Sequence, residues 1–214
     1  MRRLAVVVFA LALVGSGAAL AARGDPQRKF TPADQARASG MLVRQVDMGP
    51  AFRSTPASGR DDGFYCAALD ESDLTVTGEA ESPGFASTVE FVSSQAYVYR
   101  TRADANASWQ RGTSAAGQKC LRQGLRGELQ GSTVRLVSFK KIAFPKLAQR
   151  SVAYRAIADQ RGVRVYLDLV ALQEGRAQVA IVYGAGLSAL PKAEELRLAR
   201  TVARRMAKAM SGSS

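Results

Sequence analysis

Histidine is absent from the 214 residues. With it go the Ser-His-Asp triad, Cys–His dyads, the HExxH zinc helix and imidazole acid–base chemistry. There are two cysteines, too few for a four-cysteine zinc site or an iron–sulfur centre. No G-x-S-x-G elbow, Walker A loop or G-x-G-x-x-G turn occurs, so no cofactor is expected. The chain also lacks an RNP aromatic motif, a zinc finger and a basic-region zipper, which argues against a nucleic-acid partner. After the N-terminal run, no apolar stretch reaches membrane-spanning length.

What is present is globular in composition, with 47% apolar and 22% charged residues. The length suits one domain. Residues 1–21 read as a secretory signal peptide. Arg2 and Arg3 give a positive start, an uncharged run of nineteen residues follows, and Ala19-Leu20-Ala21 offers an A-x-A cleavage site. The alternative is a leader retained as an anchor, which would be the chain's one route into a membrane. The protein is therefore expected to be extracytoplasmic, either secreted or associated with the cell envelope. In that oxidising setting, Cys66 and Cys120 most simply form one disulfide. A redox pair is the weaker reading because C-x-x-C spacing is missing.

Residues 22–30 (ARGDPQRKF) are polar and aperiodic and read as a tether. Residues 31–211 read as a single α+β domain, without internal repeats or a clear linker. Thr31 followed by Pro32 and Asp34 predicts a capped helix with Ala38, Met41, Leu42 and Val46 as its apolar stripe, ended by Gly49-Pro50. Residues 74–80 (LTVTGEA) and 88–100 (TVEFVSSQAYVYR) predict strands, the second bulged at Ser93-Ser94. Thr101 caps a second helix in the same way. Its buried stripe is read as Ala105, Trp109, Gly112, Ala116 and Cys120. Further strands are expected over residues 133–144, 152–158, 163–172 and 179–183, the last three as a hairpin-linked meander. In the third strand, Val163, Val165, Leu167 and Leu169 share a face. Pro191 opens a closing helix with Glu194 and Glu195 in its first turn and Arg204, Arg205 and Lys208 in its last. The sum is about five to seven strands and three helices.

Charge is unevenly spread. Residues 61–100 hold eight acids against one base, and residues 101–150 hold ten bases against two acids. The acids Asp61, Asp62, Asp70, Glu71 and Asp73 lack EF-hand spacing, so no metal site is assigned. Arg135, Lys140, Lys141 and Lys146, with Arg150 nearby, form the densest basic group and are the candidate patch for an anionic partner. Arginines outnumber lysines 23 to 7, so GC-rich coding accounts for part of this surplus. Glu90, Asp159, Asp168 and Glu174 are the carboxylates from which a glycosidase pair would be drawn. Spacing alone does not bring them together, and no catalytic residue is assigned.

The order of features resembles actinobacterial extracytoplasmic proteins of the PknH-like extracellular sensor-domain family. It is carried by TPADQARASGMLVRQVDMGPAF, Cys66 in a loop, LTVTGEA, and VEFVSSQAYVYRTRADANASWQ leading to Lys119-Cys120-Leu121. The resemblance implies a curved antiparallel sheet flanked by helices, with a cleft suspected of binding an unidentified ligand. Members of that family carry two disulfides, whereas this chain has cysteines for one. It has no kinase portion, and no ligand-contacting residue of the family transfers. Two functions are expected on these grounds. One is a non-catalytic, sensor-like domain that binds a small or lipid-like ligand. The alternative is an envelope protein whose basic surface engages anionic lipid or wall polymer.

Overall fold

The computed structural model describes residues 24–56, 65–129, 132–186 and 188–212. The leader, the cleavage site at Ala21, and residues Asp61 and Asp62 lie outside the described residues.

Among the described residues, nine strands form one sheet. In chain order they are β1 (Gln27–Arg28), β2 (Arg53–Thr55), β3 (Thr75–Glu81), β4 (Gly84–Ala86), β5 (Glu90–Tyr99), β6 (Val134–Ile142), β7 (Arg150–Gln160), β8 (Val163–Glu174) and β9 (Ala177–Gly186). The main order is β1-β3-β5-β9-β8-β7-β6, and β4 pairs with β5 and carries β2. Every pairing is antiparallel except β1 on β3. Four helices among the described residues accompany it: α1 (Pro32–Met41), α2 (Arg102–Thr113), α3 (Ala115–Glu128) and α4 (Lys192–Met210). The class is α+β, with more strands and one more helix than the patterning indicated.

β6 to β9 make a four-stranded meander in unbroken register from β7 to β9. Arg161 and Gly162 both take positive φ at the β7–β8 turn, as a two-residue type I′ hairpin requires. Val170, Leu172, Val179, Ile181 and Tyr183 are buried on one face beneath α1 and α4. Leu198, Val202 and Met206 on α4 and Ala38 and Met41 on α1 close that core. The opposite face carries Tyr154, Phe139, Leu167 and Leu169, packed partly by Trp109 of α2 and by Leu121 and Leu125 of α3. Val163, Val165, Leu167 and Leu169 do share a face, but it is this half-covered one. The deepest side chains of β8 are on the other.

Three local expectations are corrected. The first helix stops at Met41, because Leu42 turns extended and a 3₁₀ turn follows over Gln45–Asp47, leaving Val46 85% exposed. β5 is not bulged at Ser93-Ser94. Ser94 keeps register with Ile181, and its hydroxyl accepts from the Val43 N–H at 3.0 Å, a polar contact that a hydrophobic pattern does not register. The irregularity lies in β3, between Val76 and Gly78.

The expected second helix is two. Ser114 adopts φ −66°, ψ 160°, ending α2 and capping α3, with its hydroxyl accepting from the Gly117 N–H at 2.9 Å. Gly117 permits the corner: a Cβ there would lie 2.0 Å from the Arg111 carbonyl oxygen. Ala116 is consequently exposed, and Cys120 faces inward from α3. The expected disulfide is present: Cys66 and Cys120 are bonded across Cα atoms 6.1 Å apart, tying α3 to the 3₁₀ turn Ala67–Leu69.

Candidate functional site

α2 sits over β5 and β9 through Ala105, buried with Leu74, Val76 and Tyr99, and through a set of polar contacts. The Gln178 amide donates to the Ala105 carbonyl at 2.6 Å, and the Gln173 amide donates to Asn106 Oδ1 at 2.8 Å. The Tyr99 hydroxyl lies 2.7 Å from Ser108 Oγ and 3.2 Å from Glu71 Oε2. Burial, reinforced by the Glu71 charge, pushes the Tyr99 phenol well above its ordinary value, so it stays a neutral donor. Beneath this network lies a half-open cleft of about 240 Å³, walled by Glu71, Tyr97, Tyr99, Ser108 and Gln178, with Ala171 and Ala180 on its floor.

The cleft continues into an apolar strip. On the same sheet face, Val165, Leu167 and Leu169 of β8, Val182 of β9 and Phe91 of β5 are all partly exposed. α3 lies over β6 and α2 over the Tyr99 end of β5, and the strip between them keeps part of its apolar surface exposed. The helical stripe predicts a buried Trp109, which is only partly buried against the sheet. The polar signal that marks the cleft, Gln173 and Gln178 at like-facing positions of an apolar hairpin, was not used.

On the other face, Asp168 and Glu195 are both buried, and their carboxyls meet. Arg155 grips Asp168 with two guanidinium nitrogens, Nε at 2.6 Å, and its Nη2 lies 4.0 Å from Glu195 Oε1. Burial, then the neighbouring Asp168, pushes the Glu195 carboxyl up to about 8. Of the four carboxylates singled out from the sequence, only Asp168 joins a pair, and its partner Glu195 had been read as a helix-dipole residue. Asp159 accepts from the Gly162 N–H, Glu174 accepts from the Gln149 N–H, and Glu90 begins β5. The acid pair and the cleft are on opposite faces of the sheet. Among the described residues, no cluster of His, Cys, Asp or Glu is arranged to hold a metal ion.

The basic candidates fall on and beside the outermost strand. Arg135, Lys140 and Lys141 lie on β6 and Lys146 in the loop after it, all exposed. Strand alternation divides them. Lys140 stands opposite Arg155 on the α4 face, while Lys141 stands opposite Tyr154 on the α3 face. They make the flanks of an edge rather than one flat patch. Among the described residues no helix is long and apolar enough to cross a membrane.

No protein-family model matches the chain, and no curated protein matches it. Solved structures do. The extracellular domain of PknH from Mycobacterium tuberculosis superposes with a TM-score of 0.51 at 11% identity, over 86% of this chain and 100% of that one. An uncharacterised protein from Mycobacterium smegmatis aligns with a TM-score of 0.40 at 14% identity, over 83% of this chain and 100% of its own. The similarity to PknH is one of fold: the chain shares the architecture of that extracellular domain.

Proposed function

We propose that this protein is a non-catalytic, extracytoplasmic binding domain, sensor-like in character, that takes a small or lipid-like ligand into the cleft beneath α2. The observation that carries this reading is the continuity of the cleft with the apolar strip of β5, β8 and β9. At about 240 Å³ the cleft alone is smaller than the ~300–1,000 Å³ usual for drug-sized ligands. An elongated ligand fits better, with a polar end among Glu71, Ser108 and Gln178 and an apolar body along Leu167, Leu169 and Val182. The extracellular setting of the PknH domain and the disulfide both support an oxidising compartment.

Native mass spectrometry of the protein recovered from its own host's envelope tests this. An added mass of a few hundred daltons, lost on denaturation and missing from an Ala180→Trp variant that fills the cleft floor, supports the proposal. A bare mass in the wild type, together with no change in thermal stability on addition of host lipid extract, counts against it. The denatured spectrum also reports whether the leader has been removed.

A further inference from the structure

Folding sorts the charge of this chain across the sheet. β3 carries Glu79 and Glu81, of which Glu79 pairs with Arg28 of the β1 edge at 3.0 Å, whereas β6, at the opposite edge, carries Arg135, Lys140 and Lys141 and no acid. Two neighbours extend the basic edge. The first is α3, whose apolar side (Leu121, Leu125) packs on the sheet beside Phe139. Lys119, Arg122 and Arg126 follow one another at helical spacings of three and four on its other side, and Arg122 reaches the Phe139 carbonyl at 3.0 Å, placing this row against β6. The second is the tip of the β7–β8 hairpin, which brings Arg161 and Arg164 beside Arg135. Asp159 lies between Arg135 and Arg164 in the ladder and offsets one charge there. Among the described residues, Lys119, Arg126, Arg135, Lys141, Arg161 and Arg164 form no ion pair.

Two apolar side chains stand out in the same place. Val137 at the β6 bulge is 49% exposed, and Val163 at the hairpin tip is 45% exposed. A basic edge that only kept other strands away would need the lysines and not the valines. Exposed valines set among unpaired cations match an interface with a headgroup layer, where cations meet lipid phosphate and short apolar groups enter its boundary. A soluble polyanion would use the charges and gain nothing from the valines.

We propose that the β6 edge, the β7–β8 tip and the outer side of α3 together dock on an anionic phospholipid bilayer. The site is separate from the ligand cleft, and the proposal does not rest on the cleft being occupied. The opposite edge, where Arg28 of β1 is paired with Glu79 of β3, then points away from the membrane, and the basic edge steers the molecule before contact.

Flotation of the exported protein with phosphatidylglycerol/phosphatidylcholine vesicles, at an ionic strength of about 0.1 M, tests it. Binding should require phosphatidylglycerol and fall steeply as salt rises. The variant Lys119→Glu, Arg126→Glu, Lys141→Glu should lose about tenfold or more in partitioning. The variant Arg200→Glu, Arg204→Glu, Lys208→Glu removes the same charge from exposed positions on α4, across the sheet, and should lose far less. Glutamine in place of glutamate at the first three positions gives a milder set if the reversal impairs folding, with folding checked by thermal unfolding. Val137→Ser with Val163→Ser should weaken vesicle binding while leaving retention on polyphosphate unchanged. Equal losses from the α3/β6 and α4 variants would reduce the effect to net charge and overturn the proposal. So would binding that ignores phosphatidylglycerol. Vesicle binding that is indifferent to the valines, with polyphosphate held equally well, would overturn the bilayer as the partner.

Discussion

Asp34 on α1 accepts two hydrogen bonds, at 2.7 and 2.8 Å, from the guanidinium of Arg176, which lies 142 residues later at the β8–β9 turn. The Thr77 hydroxyl donates to the same carboxylate at 2.6 Å. The first helix, β3 and the last hairpin are thereby joined at one buried point. The Arg176 hydrogen bonds hold the Asp34 carboxyl well below the usual range, against the opposing effect of burial. Asp34→Asn is expected to cost about 2–3 kcal/mol, since a charge-assisted bond is lost and Arg176 keeps an unmatched charge. The urea midpoint reads this. Asp34 is depressed in the folded state, so its contribution is complete above the unfolded carboxylate value near 3.8 and is lost as pH falls below it. The variant should accordingly be less acid-sensitive than the wild type. An unchanged midpoint would mean that the clamp contributes nothing net.

The Glu195–Asp168 pair gives the opposite pH dependence. Glu195 is raised to about 8 from an ordinary 4.5, so the folded protein holds a proton that the unfolded chain gives up between those values. Its contribution is therefore fully present below about 4.5 and is lost as pH rises through about 8. Stability should decline across this window with a slope of up to about 1.4 kcal/mol per pH unit. Glu195→Gln should flatten that slope and leave the variant more stable than the wild type at pH about 9. Thermal unfolding at several pH values decides the matter, and parallel curves for the two proteins would refute it.

The disulfide closes a separation of 54 residues between a loop and α3. Cys66→Ser with Cys120→Ser is expected to cost roughly 4 kcal/mol on the chain-entropy model. Because Cys120 anchors the helix carrying the basic row, the reduced protein should lose protection first in α3 and the 3₁₀ turn Ala67–Leu69, as read by amide hydrogen exchange.

Two glycines five positions apart should respond to alanine with opposite signs. At Gly112, inside α2, a Cβ meets nothing within 4 Å, so Gly112→Ala should stabilise by about 0.5–1 kcal/mol through helix propensity. At Gly117 the same methyl would collide with the Arg111 carbonyl at 2.0 Å and force the α2–α3 corner open, costing about 1–3 kcal/mol. Chemical denaturation of the two variants side by side tests whether the corner depends on Gly117.

Much of the architecture was legible along the chain because it is written in local chemistry. Thr31 and Thr101 cap their helices through the N–H groups of Asp34 and Asp104, as their spacing foretold. The β7–β8 turn falls at Arg161-Gly162, and α4 buries Leu198, Val202 and Met206 on one stripe. The absence of histidine and the pair of cysteines bounded the chemistry without any structure. What the sequence could not disclose depends on partners distant in the chain. Ser114 breaks a helix whose stripe continues unbroken past it, because Gly117 allows a carbonyl to approach where other residues have a side chain. Glu195, an ordinary first-turn glutamate by position, is made abnormal by an aspartate from β8. The acid-rich β3 and the base-rich β6 fall toward opposite sides of one sheet only through the strand order, and the neighbours Lys140 and Lys141 fall on opposite faces because a strand has period two. Hydrophobic period and capping chemistry act over a few residues and survive as pattern. Long-range pairing, helix coverage and the cleft they leave open are set by which surfaces bury against each other, and only the tertiary structure decides that.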